Sequence, residues 1–301
     1  MRRVLAFITV VALTAACAAT VSCRRGEDVS EMEPNVVLLG PTFDAAAAPK
    51  QFEPLASYLQ EKVGQPFEFR PTKSRDEFAS LVTEGKATFI FANPLDYFEI
   101  ADQCIVLVKP NYPGKGSMVQ GGIIVKEGEA VKIREVTELK GSSIMIVSKS
   151  SLDGYLSQKM FFERSGLDLD LDFDLRVSPD GTPESVIAAV AAGEVEYGCV
   201  PAEFFPDRKP LKGAEVLTYS EKVPVEVFAF VQMGGDKMLG GKVRDILKAI
   251  PKGDPLLKPI GVESFLLATA TEYDLVTNFL TQDKIDKAQR LSEAPAEAGP
   301  S

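Results

Sequence analysis

The sequence predicts an α/β protein with mixed or mostly parallel sheets, covered by helices on both faces. Three observations carry this. Apolar runs such as VVLL at residues 36–39, ATFIFA at 87–92, CIVLVK at 104–109 and IMIV at 144–147 are short and do not alternate with polar residues, as expected of strands buried on two sides. Segments with helical spacing separate them. The 301-residue length accommodates one large α/β unit or two lobes of roughly 100–150 residues.

Residues 1–23 have the form of a targeting segment. Arg2 and Arg3 precede an apolar run at 4–13 that is short for a membrane span, and small residues follow. Cys17 and Cys23, directly behind that run, suggest a bacterial lipoprotein signal in which one of them becomes the lipidated N-terminus. A plain secretory signal and a retained anchor are the alternatives. Cys17 has the better small-residue approach, TAAC, whereas Cys23 is followed at once by RRGED. Residues 24–34 are polar and form a tether.

A strand at 35–40 follows, ended by Gly40-Pro41-Thr42. Phe52, Leu55, Leu59 and Val63 fall on one helical face, so 52–63 is a helix. Gly64-Gln65-Pro66 turns the chain into a strand at 67–70. A helix at 75–83 stops at Glu84-Gly85, and Asn93-Pro94 opens another after strand 87–92. Beyond strand 104–109, the glycine-rich NYPGKGSMVQ at 111–120 leads to strand 121–125, expected to cross into a second lobe. A short helix at 136–140, a strand at 144–147 and a helix at 155–165 come next. DLDLDFD at 168–174 alternates acids with apolar residues but lacks the glycine and terminal glutamate of a calcium loop, so it is expected as a solvated edge segment. Pro183 stands in the first turn of a helix running to Ala192, and Gly193 closes it. Strands at 195–200 and 215–218, a loop at 219–224 and a strand at 225–232 returning to the first lobe complete the pattern. Helices follow at 239–250, 272–280 and 284–291, with a partial turn at 255–259. The expected division is a first lobe at 35–122 and 228–291, a second lobe at 123–227, and a tail without core residues at 292–301.

Composition excludes several functions. Acidic residues outnumber basic ones 43 to 33, without a basic stripe, so nucleic acid is not an expected partner. The chain has no histidine, which removes Ser-His-Asp triads and most catalytic zinc sites. It has no dinucleotide-binding glycine motif, P-loop or CxxC, and no cofactor or metal is expected. Cys104 and Cys199 lie in apolar runs and are expected as small buried hydrophobes. An enzyme assembled from Lys149, Asp153 and Glu203 is not required by anything in the sequence.

The organising stretch is LKGSSIMIVSKSSLDGY, residues 139–155. A buried strand runs into a serine-rich turn and then a helix, so hydroxyls and unpaired backbone N–H groups converge at one point. That is either a small-anion seat or an ordinary loop with Ser150 or Asp153 as helix cap.

Four segments in this order resemble the phosphate/phosphonate-type periplasmic substrate-binding proteins of ABC transporters. They are FEPLASYLQEKVGQPFEF at 52–69, GKATFIFANPLDYFEIA at 85–101, LKGSSIMIVSKSSLDGY at 139–155 and VIAAVAAGEVEYGCV at 186–200. The resemblance spans residues 35–259. It implies a two-lobed periplasmic-binding fold of type II, with two hinge crossings at 122–125 and 227–230. A small-molecule solute would be held in the cleft as the lobes close, in a monomer of the periplasm or cell envelope that is lipid-anchored to the membrane and serves an ABC permease. A ligand-sensing or accessory role beside a membrane receptor is the alternative.

On the first lobe the resemblance places ligand contacts at Phe43 and Tyr97. On the second it places them at Ser151 and Tyr155, at Thr182 in Gly181-Thr182-Pro183, and at Glu203 after strand 195–200. Ser148 and Ser150 add hydroxyl donors. Leu152 and Asp153 replace the family's next two hydroxyl residues, and an ionised Asp153 offers only acceptors where a phosphonate needs donors. Lys149 either restores positive charge or faces solvent. Some relatives bind arsenic oxyanions through a cysteine, but Cys104 sits in an apolar run.

Overall fold

The computed structural model describes residues 35–39, 48–233 and 236–293, of which 35–39 and 290–293 are described by backbone alone. Phe43, Cys17, Cys23 and the tail from residue 294 lie outside the described residues. In the first lobe β1 (Asn35–Leu39), α1 (Ala48–Val63), β2 (Phe67–Arg70), α2 (Arg75–Thr83), β3 (Phe89–Ala92), α3 (Pro94–Phe98) and β4 (Cys104–Asn111) come first. The second lobe holds β5 (Met118–Lys126), β6 (Ser143–Ile146), α4 (Ser157–Arg164), β7 (Asp174–Val177), α5 (Pro183–Ala192), β8 (Tyr197–Pro201) and β9 (Ala214–Pro224). The chain then returns to the first lobe with β10 (Val227–Val231), α6 (Lys237–Ala249), β11 (Ser264–Leu267) and α7 (Asp274–Glu293). The first sheet has the order β11-β4-β10-β3-β1-β2 and the second β7-β6-β8-β5-β9. Each combines a parallel set, β1-β2-β3 or β6-β7-β8, with antiparallel strands.

β10 shows why the apolar runs do not alternate. Phe228 and Phe230 pack with Phe52 and Leu59 of α1 and Val243 of α6, while Val227, Ala229 and Val231 pack on the opposite side with Phe78 and Val82 of α2. Each fully buried phenylalanine contributes about 2–3 kcal/mol. The second sheet repeats the arrangement. Ile123 and Cys199 face Phe162 of α4, whereas Ile124 and Val200 face Val186 and Val190 of α5. Gly198 lets α5 approach β8 closely, since a Cβ there would lie 2.7 Å from Val186 Cγ1.

The chain passes between the sheets at residues 112–117 and at Val225 and Glu226. β5 pairs in the second sheet from Met118 and β10 in the first from Val227, so the passages stand just ahead of the expected crossings. An apolar run records burial, not which sheet the strand joins. Residues 219–224, expected as a loop, continue β9 instead and pair with β5 through Tyr219, Lys222, Val223 and Pro224. β11 was not expected; Phe265 anchors it on the edge beside β4. The two expected C-terminal helices are one, because Thr281-Gln282-Asp283 carries no breaker.

The segment 168–174 is not a solvated edge. Asp168 is 7% exposed, and Leu167, Leu169 and Phe173 are buried with Phe162. Asp168 and Asp170 turn inward to Lys159 of α4, itself 2% exposed, while Asp172 pairs with Lys140 and the exposed Asp174 with Arg176. The Lys159 Nζ lies 3.0 Å from Asp170, 3.2 Å from Asp283 of α7, 3.4 Å from Glu163 and 3.7 Å from Asp168. Burial by itself would lower the Lys159 pKa, but the hydrogen bond and charge of Asp170 outweigh it and the pKa is raised. No acidic group with metal-site geometry occurs among the described residues.

Lys159→Met should leave these acids without their central cation and lower stability by about 3–5 kcal/mol in urea unfolding. Lys149→Met removes only an exposed partner of Asp170 and should cost under about 1 kcal/mol. Equal losses would show that the buried charge is not the critical one.

Candidate functional site

A cavity of about 500 Å³ lies where the two passages meet the two lobes, within the range of small-solute pockets. Asn93 and Gly261 line it from the first lobe, and Ser150, Ser151, Leu152 and Asp153 from the second. Tyr112, Pro113 and Lys115 belong to the first passage, Val225 and Glu226 to the second.

Each wall has a local cause. Asn93 caps α3, its Oδ1 accepting from Asp96 N at 2.9 Å, and Pro94 supplies the preset first turn. Ser151 caps the π-helical turn at Leu152–Leu156, its Oγ accepting from Gly154 N at 2.9 Å and donating to Asp153 at 3.4 Å. The helix therefore begins earlier than Tyr155. Gly154 has no room for a side chain, since a Cβ would meet Val147 Cγ2 at 2.7 Å. Gln158 of α4 fastens this turn to the sheet. Its Nε2 donates to Asp153 O at 2.7 Å, Val200 O at 3.2 Å and Gly122 O at 3.4 Å. Gly121 makes space for it, because a Cβ there would lie 2.0 Å from that nitrogen.

The electrostatics are acidic. Glu226 accepts from the Tyr112 hydroxyl at 2.8 Å. Its pKa is raised, chiefly by burial, and Asp153 adds to the rise while Tyr112 and Lys115 oppose it. Asp153 is likewise raised, first by burial, with Glu203 adding and its own backbone N–H, Lys115 and Ser151 opposing. Lys115 is held by Glu203 at 2.7 Å.

Among the residues expected from sequence, the structure brings Ser150 and Ser151 to the cavity and Glu203 to the adjoining hollow, which Asp153 and Lys115 also line. Ser148 Oγ lies 3.1 Å from Ser150 Oγ. Tyr97 is 2% exposed in the core, its ring 5.4 Å from that of Tyr273, and burial pushes its phenol up to about 12. The Tyr155 hydroxyl donates to Asp170 in the Lys159 cluster. Thr182 caps α5 and donates to Asp180 at 2.9 Å. Lys149 pairs with Asp170 at 3.0 Å, and Cys104 is a buried thiol pushed up to about 12, chiefly by burial. Sequence reasoning missed Asn93, Tyr112, Lys115 and Glu226 as wall residues. Glu226 carried a signal, as the lone acid in the apolar run PVEVFAFV.

Two α/β lobes with a cavity backed by both connecting passages define a bilobal solute-capturing protein. The chain belongs to the family described as ABC transporter, phosphonate, periplasmic substrate-binding protein, which matches residues 37–273. It is thus an extracytoplasmic component of an ABC transport system that captures a small solute. No curated protein matches the sequence. Among solved structures it is similar to PhnD1 of Prochlorococcus marinus in complex with methylphosphonate, with TM-score 0.60 and 11% identity over 83% of this chain and 98% of that one. It is also similar to XAC2383 of Xanthomonas citri bound to ATP, with TM-score 0.65 and 16% identity over 82% and 98%. A binding-protein component of an ABC phosphonate transporter from Pseudomonas aeruginosa gives TM-score 0.55 and 14% identity over 86% and 98%. At these identities the likeness is one of fold. Among the described residues no helix is long and apolar enough to cross a membrane.

Asp96, which positions Asn93, has a pH signature. It is fully buried, with one oxygen 2.8 Å from Arg75 and the other without a partner among the described residues. Burial raises its pKa to about 6 against the opposing pull of Arg75. The folded pKa exceeds the unfolded one, so folding favours the protonated form and this stability is lost as pH rises through about 6. Asp96→Asn should remove on the order of 2 kcal/mol of the stability loss between about pH 4 and about pH 8, measured by urea unfolding at both. An unchanged slope would assign the pH dependence to other groups.

Proposed function

We propose that the interlobe cavity is where this chain holds its solute for delivery to an ABC permease, the two lobes closing over it. The observation that carries this is the composition of the wall, which draws on both lobes and both passages. A solute touching all four stabilises the closed arrangement over the open one. Methylphosphonate and ATP are what two of these structural neighbours hold; the solute of this chain follows from its own wall groups.

A thermal-shift screen of small solutes tests the site. A solute present at about 100 times its Kd stabilises the native state by about 2.7 kcal/mol, a clear rise in Tm. Ser150→Trp should fill the cavity and abolish that rise while leaving the circular dichroism spectrum unchanged. A rise that survives the substitution would move the site elsewhere.

We also propose attachment to the membrane through a lipidated Cys17 or Cys23, supported by their place behind the apolar run at 4–13. The protein should fractionate with membranes, and replacing the lipidated cysteine by serine should release it. Soluble behaviour of the unaltered chain would refute the anchor.

A further inference from the structure

We propose that the cavity takes a small organic ammonium solute, its cationic group seated between the carboxylates of Asp153 and Glu226. This rests on the cavity being the solute site and adds the chemical class of what it holds.

Three features of the wall support it. First, the two carboxylates come from different parts of the chain, Asp153 from the turn after β6 and Glu226 from the passage before β10, and both line the same space. Lys115, the one lysine on this wall among the described residues, is tied to Glu203 at 2.7 Å, and neither wall carboxyl has an ion pair of its own among the described residues. A cationic group between them favours their ionised forms against burial, while an oxyanion adds a like charge to a poorly hydrated site.

Second, the place where an anion would meet a helix N-terminus is already filled. Ser151 Oγ accepts from Gly154 N and donates to Asp153. The chain's own side chains thus take donors that a phosphonate would use.

Third, Asn93 is 5% exposed and lines the cavity. Its Oδ1 is used by Asp96 N, and its Nδ2 donates to no group among the described residues. The Nδ2 donor is therefore open to an acceptor on a solute in the cavity. The solute therefore carries an acceptor, such as a hydroxyl or carbonyl, beside its ammonium group. Tyr112 donates to Glu226 and holds that carboxylate in place, so it acts as a positioning residue.

Isothermal titration calorimetry of the full chain with ethanolamine and choline, against methylphosphonate and phosphate, tests this. At least one ammonium probe is expected to bind more tightly than either anion. Asp153→Asn and Glu226→Gln should each weaken it about tenfold or more, and Asp153→Asn should improve methylphosphonate binding. Both substitutions are near-isosteric, and an unaltered Tm excludes misfolding as the cause. Tyr112→Phe provides a second check, with weaker ammonium binding expected. Tight methylphosphonate binding without any ammonium binding overturns the ligand class but leaves the cavity as the site, provided Ser150→Trp abolishes it. Ammonium binding that survives both carboxylate substitutions overturns the proposed seat. Failure of every ammonium probe overturns this inference, while the cavity assignment stands or falls with the Ser150→Trp thermal-shift test.

Discussion

The central strands of each sheet are covered by helices on both faces, so solvent reaches them at their ends, while an edge strand such as β7 is open along its length. The cavity follows from that constraint. Asn93 stands just beyond β3, Ser150 to Asp153 follow β6, Lys115 follows β4 and Glu226 precedes β10. In parallel α/β architectures the carboxyl ends of strands, and the helices they lead into, are where polar groups can face a ligand without exposing the core. The second lobe illustrates it. β6 delivers the chain to a capped turn, and Gln158 pins that turn to Gly122 and Val200 on the two neighbouring strands. Hydrogen bonds from Gln158 and the Ser151 cap thus tie the serine-rich turn to the sheet that presents it.

α7 joins the two lobes at a second place. Val276 and Leu280 cluster with Leu95 of α3 and with Leu152, Leu156 and Met160 of the second lobe. Asp283 of the same helix reaches Lys159 at 3.2 Å, and Lys284 pairs with Glu99 of the first lobe at 2.7 Å. Leu152 belongs both to this cluster and to the cavity wall. A change in that turn is therefore felt directly where the lobes pack on α7. The buried Lys159 cluster favours one arrangement there, because a charge so deeply buried tolerates little displacement from its partners.

The sheets were largely legible in the sequence. β2 and α2 coincide with the segments read from FEFR and from the residues before Glu84-Gly85, because apolar burial and capping act within a few residues. The segment at 168–174 was misread, since nothing local to DLDLDFD says that a lysine nine residues before its first acid will be buried against it. β11 was missed because SFLL is too short to separate from a loop without its partner strand. For the site, Ser150 and Ser151 were visible as hydroxyls at a strand-to-helix turn. Tyr97 shows the reverse: its position in the segment suggested a contact, but α3 turns its ring into the core against Tyr273.

The sequence by itself determined the class, the order of most elements, the absence of histidine chemistry and the acid within the serine turn, because these rest on local spacing and residue type. Only the tertiary structure decided which charges share the cavity. Glu226 and Asp153 are 73 residues apart in numbering, and their meeting depends on how the second passage folds back against the turn after β6. Long-range electrostatics of this kind has no signature in local pattern, since Coulomb interaction depends on distance in space and on burial. It is settled only when the lobes and their passages are in place.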